Sequence, residues 1–222
     1  MAFITNINLQ NTCHEEMAFE GQWRDSFGCP SPVGAWIIYG MSGNGKTSFA
    51  LQLAKYLTGF NKVLYWSIEQ GNTQSFRRAW LREKMDECGN DIMLADEDNS
   101  FDAIVRQLTQ KRGRNILFVD SLTPLRAKSY SEEKYEYFGV RQYESFRRRL
   151  KGKLIVWISH EHSGRPDTTT GDYILKLSDL KMRVEGFRVF TNTRSGKGLA
   201  DFVVWEEGAA RYWGKVRNRY EL

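Results

Sequence analysis

The sequence predicts an α/β fold built on a mostly parallel, twisted sheet with helices on both faces. Short apolar runs of strand length alternate along the chain with segments of helical periodicity, which is the pattern of successive strand–helix–strand units. A glycine-rich turn follows the first apolar run and leads directly into a helical segment. From about residue 180 the pattern changes and predicts short strands joined as C-terminal β-hairpins.

Five apolar runs are the predicted core strands, at residues 35–39, 62–68, 92–95, 115–119 and 154–159. The predicted helices lie between them, at residues 48–57, 74–88, 101–111 and 136–150. The C-terminal hairpins are predicted from residues 180–184, 187–191, 202–205 and 211–213. We therefore expect three parts: a turn-rich N-terminal lead-in segment (1–34), a core (35–214) and a short C-terminal tail (215–222).

The composition suits one folded unit. Of the 222 residues, 41% are hydrophobic and 14% are aromatic, which is enough to fill a core. No apolar run approaches the roughly 20 residues that a membrane helix needs, and the N-terminus does not read as a secretory signal. Three widely spaced cysteines exclude a four-cysteine zinc ribbon and fit a reducing compartment, so we expect a cytoplasmic protein. The net charge of +5 allows a polyanionic partner but is too small to establish one.

The glycine-rich turn is a complete G-x-x-x-x-G-K-[ST] phosphate-binding loop. Its glycines let backbone N–H groups approach a triphosphate, Lys46 reaches the β- and γ-phosphates, and the Thr47 hydroxyl ligates Mg²⁺. The helix that follows points its N-terminus at the same phosphates. The predicted nucleotide-binding residues are Gly40, Met41, Ser42, Gly43, Asn44, Gly45, Lys46, Thr47 and Ser48. The alternative is a glycine-rich turn with an exposed lysine.

Two carboxylates follow predicted strands. Asp120 comes directly after the strand at 115–119, and Glu69 directly after the strand at 62–68. The C-terminal ends of parallel strands lie on the ligand side of such a sheet. Asp120 is therefore the candidate second metal-binding residue beside Thr47, and Glu69 is the candidate base that orients or deprotonates an attacking water. The alternatives are an aspartate that caps a turn and a solvated glutamate.

The order of phosphate loop, strand with Glu69 and strand with Asp120 resembles the RecA-like ATPases, a group that includes RecA, RadA, the DnaB-type helicases and KaiC. The resemblance implies a RecA-like P-loop NTPase core that binds ATP and Mg²⁺ and hydrolyses ATP. It implies that Glu69 activates the water. It also implies that His160, at the end of the strand at 154–159, senses the γ-phosphate.

The C-terminal hairpins carry a further part of the resemblance. The family motif Lys-x-Arg-x-Gly reaches the nucleotide of a neighbouring subunit, and here Arg194 and Gly196 match it while Asn192 stands at the lysine position. The resemblance thus implies a homo-oligomer, ring or filament, with Arg194 as an arginine finger acting in trans. It also implies a compact, stand-alone core of the kind found in phage or mobile elements.

In the RecA-like ATPases two loops bind DNA, one after the strand that ends in the metal-binding aspartate and one after the sensor strand. Here these loops correspond to residues 122–137 and 161–172. Cations for phosphates and aromatic rings for bases are what single-strand binding needs. The candidate nucleic-acid residues are Arg126, Lys128, Tyr130 and Arg165. Acidic residues in both loops favour the alternative of solvated charged loops.

The expected function is a Mg²⁺-dependent RecA-type ATPase, oligomeric and acting on single-stranded DNA in recombination, strand annealing or replication. The main alternative is an ATP-driven switch or assembly scaffold that binds a protein partner. A P-loop kinase would need an arginine-bearing lid, which the sequence does not suggest. A GTPase would need an Asn-Lys-x-Asp motif, and Asn61-Lys62 is followed by Val63 and Leu64.

Overall fold

The computed structural model of the chain describes residues 4–12, 15–96, 99–128, 135–193, 196–197 and 200–220. Its strands are β1 (Gly34–Gly40), β2 (Val63–Ser67), β3 (Ile92–Ala95), β4 (Ile116–Asp120), β5 (Arg126–Lys128), β6 (Tyr135–Tyr137), β7 (Leu154–His162), β8 (Arg165–Pro166), β9 (Leu180–Glu185), β10 (Arg188–Thr193), β11 (Gly196–Lys197) and β12 (Phe202–Val203). Its helices are α1 (Asn6–Gln10), α2 (Gly21–Phe27), α3 (Lys46–Leu57), α4 (Gln74–Arg82), α5 (Phe101–Thr109), α6 (Val140–Arg149), α7 (Thr169–Leu177) and α8 (Glu206–Tyr220), with a 3-10 helix at Met85–Asp91.

One large sheet organises the described residues, in the order β11-β10-β9-β1-β7-β4-β2-β3. The six strands from β9 to β3 in this order run parallel, whereas β10 pairs antiparallel with β9. The register places Gly40 opposite His160 and Ser67 opposite Asp120. The C-terminal ends of β1, β7, β4 and β2 therefore meet at one edge of the sheet.

Helices cover both faces of this sheet, as the sequence predicts. One face packs against α2, α3 and α4, and the predicted apolar stripe of α3 (Phe49, Leu53 and Leu57) is fully buried there. The other face packs against α5, α6 and α7 through side chains such as Leu108, Phe146 and Ile174. The predicted fold class, a mostly parallel α/β sheet with helices on both faces, is confirmed.

The N-terminal lead-in segment contributes to the same core. Phe19 is buried and meets Trp36 of β1 and Tyr56 of α3 edge-on, with ring centroids 6.5 and 5.0 Å apart. Phe27 of α2 is buried against Phe49. The first helical face of the sheet is thus completed by residues that carry no periodic pattern in the sequence.

Three element predictions are wrong. The predicted helix at 136–150 begins only at Val140, because residues 135–137 form β6. The predicted helix at 74–88 ends at Arg82, after which Lys84 takes a left-handed backbone conformation and a 3-10 helix follows. The predicted strand at 211–213 lies inside α8. Three residues cannot distinguish a strand from a helix. Ala209 and Trp213, four residues apart, show the helical spacing: Ala209 is buried, and Trp213 donates to the carbonyl of Gly186 at 3.2 Å.

The predicted second loop is largely ordered secondary structure. Strand β7 continues through Glu161 to His162, and α7 begins at Thr169 with Thr168 as its N-cap. The Thr170 hydroxyl is buried and donates to the carbonyl of Phe138. Among the described residues, no helix has both the length and the apolar character needed to cross a membrane.

Candidate active site

The phosphate loop joins β1 to α3 and is shaped by glycines that no other residue can replace without strain. Gly45 has a φ of 96°, in the left-handed region that favours glycine. At Gly40 a Cβ atom would lie 2.2 Å from the carbonyl oxygen of Val184, because β9 passes directly beside the end of β1. The loop conformation therefore depends on the neighbouring strand as well as on its own sequence.

Asn44 fastens the phosphate loop to the turn between β9 and β10. Its Oδ1 accepts a hydrogen bond from the backbone N–H of Gly186 at 2.7 Å, and its carbonyl accepts one from Phe187 at 3.2 Å. The motif leaves this position open, so the pattern alone does not predict a structural role for Asn44. The β9–β10 turn thus stabilises the conformation of the phosphate loop through these two hydrogen bonds.

Lys46 is buried, and its ammonium donates to the carbonyl of Met41 across the loop at 3.0 Å. Burial lowers its pKa, while the nearby carboxylates of Glu69 and Asp120 act in the opposite direction. The lysine thus lies inside the loop, close to both predicted catalytic carboxylates.

Asp120 ends β4 and is almost fully buried. Burial raises the pKa of its carboxyl to about 6, although a 2.6 Å hydrogen bond from the hydroxyl of Tyr65 lowers it. Tyr65 lies on β2 beside Asp120, and the pKa of its phenol is raised well above the usual value by burial and by the carboxylate. Sequence reasoning missed Tyr65, whose only signal is an aromatic hydroxyl in an otherwise apolar strand.

Glu69 lies two residues beyond the end of β2, and not at the strand end as predicted. Its backbone N–H donates to the carbonyl of Asp120 at 3.1 Å. Its Oε2 accepts hydrogen bonds from the Ser121 hydroxyl at 2.6 Å and from the His160 ring at 2.9 Å. The bond to His160, followed by that to Ser121, lowers the pKa of Glu69 to about 2 against the opposing effect of burial. The structure therefore brings Glu69 and His160 together as a half-buried, hydrogen-bonded pair, which is an ion pair when His160 is protonated.

His160 lies within β7, directly opposite the first glycine of the phosphate loop in the register of the sheet. Its pKa is raised by the hydrogen bond to Glu69. Its carbonyl accepts from the backbone N–H of Asp167 at 3.0 Å. One residue thus contacts both the candidate catalytic base and the segment that follows the sensor strand.

The metal-binding proposal for Thr47 and Asp120 fits the donors at this edge. The Tyr65 hydroxyl bonds Oδ2 of Asp120, so Oδ1 is the oxygen free of that bond. Ser67 lies opposite Asp120, and its buried hydroxyl has no hydrogen-bond partner among the described residues. Within the same part of the chain there is no cluster of three or more His, Cys, Asp or Glu side chains placed to hold a metal. A Mg²⁺ ion bound by one carboxylate, one hydroxyl and substrate phosphates needs no such cluster.

Asp167 connects the two loops predicted to contact nucleic acid. Its carboxylate accepts from the Thr123 hydroxyl at 2.9 and 3.1 Å, and from the Ser159 hydroxyl at 3.3 Å. Thr123 follows β4, whereas Ser159 belongs to β7. The first loop also contains a small antiparallel hairpin, β5–β6, in which Arg126 and Lys128 lie on one strand.

Of the predicted nucleic-acid residues, Arg165 has a described side chain. It is 70% exposed and lies 3.5 Å from Asp172, so its charge is partly compensated. Tyr130 and the predicted arginine finger Arg194 lie outside the described residues. Glu161, which the sequence placed in the second loop, is instead a buried β7 side chain that Arg183 binds through two hydrogen bonds of 2.8 and 3.0 Å.

Solved structures share this fold. The flagellar accessory protein FlaH of Methanocaldococcus jannaschii matches with a TM-score of 0.56 at 13% identity, over 86% of this chain and 98% of that one. The KaiC-like protein PH0186 of Pyrococcus horikoshii OT3 matches with a TM-score of 0.53 at 15% identity, over 86% of this chain and 91% of that one. No protein-family profile matches the sequence, and no curated protein does. The similarity therefore concerns the fold, which is the RecA-like P-loop ATPase fold.

Proposed function

We propose, on the premise of this RecA-like P-loop ATPase fold, that the chain is a Mg²⁺-dependent ATPase. We further propose that it assembles into oligomers and acts on single-stranded DNA in recombination, strand annealing or replication, as a compact core of phage or mobile-element type. The observation that carries the ATPase proposal is the position of Glu69, ionised and fixed by Ser121 and His160 beside the phosphate loop.

A general base for water must be ionised and held in one orientation. The low pKa of Glu69, about 2, keeps it ionised at neutral pH. The hydrogen bonds from Ser121 and His160 both reach Oε2, so the other oxygen, Oε1, is the one that would accept a proton from water. Lys46 and the backbone of the loop would bind the phosphates, and Lys46 would supply positive charge where negative charge develops.

Thr47 and Asp120 would hold the Mg²⁺ ion, which would neutralise part of the negative charge of the phosphates. Tyr65 orients the Asp120 carboxylate and keeps its pKa below what burial alone would produce. The residues of this chain would thus bind the phosphates, orient the reacting groups and accept a proton. Such positioning is what phosphoryl transfer chiefly demands of a protein.

The oligomer and the DNA-binding role are supported by the two loops that follow β4 and β7. The Asp167 carboxylate joins Thr123 of the first loop to Ser159 beside the sensor histidine, so a ligand that moves either loop would also disturb the surroundings of His160. Arg165 offers an exposed cation in the second loop. Arg194 would complete the site of a neighbouring subunit and stabilise the developing charge there.

A second candidate function is an ATP-driven switch or scaffold that binds a protein. The ion pair of Arg165 with Asp172, which itself pairs with Lys176 at 2.7 Å, favours it because a partly neutralised loop attracts phosphates less strongly. One structural neighbour is named as a flagellar accessory protein, and the other as KaiC-like.

The decisive experiment measures steady-state ATP hydrolysis across protein concentrations, with and without single-stranded DNA. Lys46→Ala and Glu69→Gln are the active-site variants. Glu87→Gln is the matched control, because Glu87 is an exposed glutamate paired with Lys55 at the far end of α3.

We expect DNA to stimulate hydrolysis, the rate to rise more steeply than protein concentration, and both active-site variants to lose activity while the control keeps it. A hydrolysis rate that DNA does not change but that still depends on protein concentration would favour the ATP-driven switch or scaffold. Hydrolysis that ignores DNA and protein concentration alike would reject both the recombination-type function and a shared active site. Full activity in Glu69→Gln would reject the proposed base.

A further inference from the structure

Beside the phosphate loop lies an exposed aromatic ring that the proposed chemistry does not use. Trp205, between β12 and α8, is 45% exposed. Its ring meets Phe187 edge-on, with centroids 5.1 Å apart. Phe187 lies directly against the loop, because a Cβ atom at Gly45 would be 2.9 Å from its ring. The Phe187 ring therefore lies between Trp205 and the backbone that would bind the phosphates.

The surface between the phosphate loop and Trp205 follows the first turns of α3. At its other border the guanidinium of Arg82 donates to the Ser48 hydroxyl at 2.8 Å. Gln52 lies one turn after Ser48 on α3. Its amide nitrogen lies 3.0 Å from the carboxylate of Glu83 and 3.2 Å from the carbonyl of Val204, so it reaches across this surface. Ser48 and Gln52 thus form a polar strip that starts at the loop, with Arg82 on one side and Trp205 on the other.

We propose that Trp205 is the stacking platform for the base of the bound nucleotide, and that the ribose lies over the polar strip of Ser48 and Gln52. This inference rests on the proposed function. A nucleotide whose phosphates occupy the loop must direct its sugar and base outward along the surface next to it. Trp205 adjoins that surface and is 45% exposed.

The ring already has a planar cation over it. The guanidinium of Arg211 lies 5.6 Å from the centroid of Trp205. Arg211 is 72% exposed and lies 3.6 Å from Glu207, so it is weakly held. A planar base stacks on an indole face more extensively than an exposed guanidinium does, and can therefore displace it.

Stacking is recognised through the face of a base and not through its hydrogen-bonding edge. Trp205 should accordingly add affinity for nucleotides without adding affinity for phosphate chains that lack a base. That difference separates a base platform from a residue that only supports the loop.

The test is isothermal titration calorimetry with Mg²⁺ and either ATP or inorganic tripolyphosphate. All proteins carry Glu69→Gln, so that ATP persists during the titration. Trp205→Ala and Trp205→Phe are compared with Phe60→Ala, because Phe60 is a 37% exposed ring just beyond the opposite end of α3. Circular dichroism melting confirms that each variant is folded.

We expect Trp205→Ala to weaken ATP binding about tenfold and to leave tripolyphosphate binding unchanged. Trp205→Phe should keep most of the affinity for ATP, and Phe60→Ala should change neither ligand. Equal losses for both ligands in Trp205→Ala would mean that the ring supports the loop through Phe187, which overturns the inference. Unchanged ATP binding in Trp205→Ala would also overturn it.

Titration of the Glu69→Gln protein with Trp205 intact distinguishes failure of the inference on Trp205 from failure of the proposed function. If it binds tripolyphosphate as tightly as ATP, the base contributes nothing and only the inference on Trp205 fails. If it binds neither ligand, nucleotide binding itself fails, and with it the proposed function.

Discussion

The carboxylate of Glu69 and the imidazole of His160 are joined by a hydrogen bond, with 2.9 Å between Oε2 and Nε2, and form an ion pair when His160 is protonated. The two residues are far apart in the sequence: Glu69 follows β2, and His160 belongs to β7. The pair raises the pKa of His160 and, with Ser121, lowers that of Glu69 to about 2. It is the feature of this site with the clearest consequence for pH.

The pair predicts a pH window for stability. The pKa of Glu69 is lowered, so its contribution is complete above its unfolded value of 4.5 and is lost as pH falls toward 2. The pKa of His160 is raised, so its contribution is complete below the unfolded value of 6.5 and is lost as pH rises through the higher folded value. Both shifts describe one interaction, which is strongest between these two unfolded values.

We therefore expect His160→Gln to lower the free energy of unfolding more at about pH 5.5 than at about pH 8.5. Urea unfolding of the wild type and the variant at both pH values measures the difference. His162→Gln is the matched control, because His162 lies exposed two residues further along the same strand. A destabilisation that is the same at both pH values would contradict the ionic pair.

Tyr65→Phe is predicted to weaken metal-dependent activity at neutral pH. In the wild type the hydrogen bond from Tyr65 lowers the pKa of Asp120. Without this bond the pKa rises further above about 6, and more of the carboxyl is protonated. We expect the acid limb of the ATPase pH profile to move to higher pH, and half-maximal activity to need more Mg²⁺.

Tyr173→Phe serves as the control, because its hydroxyl bonds Glu144 on the helical layer away from the phosphate loop. If Tyr65→Phe left both the pH profile and the Mg²⁺ requirement of the wild type unchanged, Tyr65 would not be a positioning residue for Asp120.

Gly40→Ala is predicted to destabilise the fold. The added Cβ would lie 2.2 Å from the Val184 carbonyl oxygen, so β1 or β9 must move. We expect a loss of about 1–3 kcal/mol in the free energy of unfolding, the usual cost of overpacking. Gly214→Ala, in an exposed part of α8 with nothing within 4 Å of its Cβ position, should instead be neutral or gain up to about 1 kcal/mol. Equal effects of the two substitutions in urea unfolding would show that the close approach to β9 is unimportant.

Phe19→Ala tests whether the lead-in segment is part of the folded core. Phe19 is 1% exposed among the rings of Trp36, Tyr56 and Phe60, so its truncation should cost about 3–5 kcal/mol. Ile4→Ala, at a 64% exposed side chain, should cost almost nothing. Denaturant titrations that gave Phe19→Ala the same small cost would mean that residues 15–34 are a detachable appendage.

Arg165→Ala tests the DNA-binding proposal. If Arg165 contacts a phosphate, the variant should bind single-stranded DNA more weakly. The magnitude of the slope of log affinity against log salt concentration should fall by about one, the contribution of one phosphate contact. Fluorescence anisotropy at several salt concentrations gives both quantities. Arg112→Ala is the control, because Arg112 is exposed at the opposite edge of the sheet, before β4 begins. Identical slopes for the two variants would exclude Arg165 from the nucleic-acid contact.

The sequence by itself determined the fold class, the phosphate loop, and Glu69, Asp120 and His160 as candidates. The fold class, the phosphate loop and the two carboxylates follow from local patterns: apolar runs, a motif of fixed spacing, and carboxylates at or just after strand ends in a parallel sheet. His160 follows from the resemblance to the RecA-like ATPases. The same local patterns misjudged residues 211–213, because three residues carry too little periodicity to separate a strand from a helix.

Only the tertiary structure decided which groups touch one another. Tyr65 bonds Asp120, Asn44 bonds Gly186, and Asp167 joins two loops because neighbouring strands of the sheet come from distant parts of the chain. Strand order and register are set by burial of two apolar faces at once, a condition on the whole chain that no short window of residues contains. The pKa values of Glu69 and Asp120 depend on that burial and on those partners, so they too could be known only from the fold.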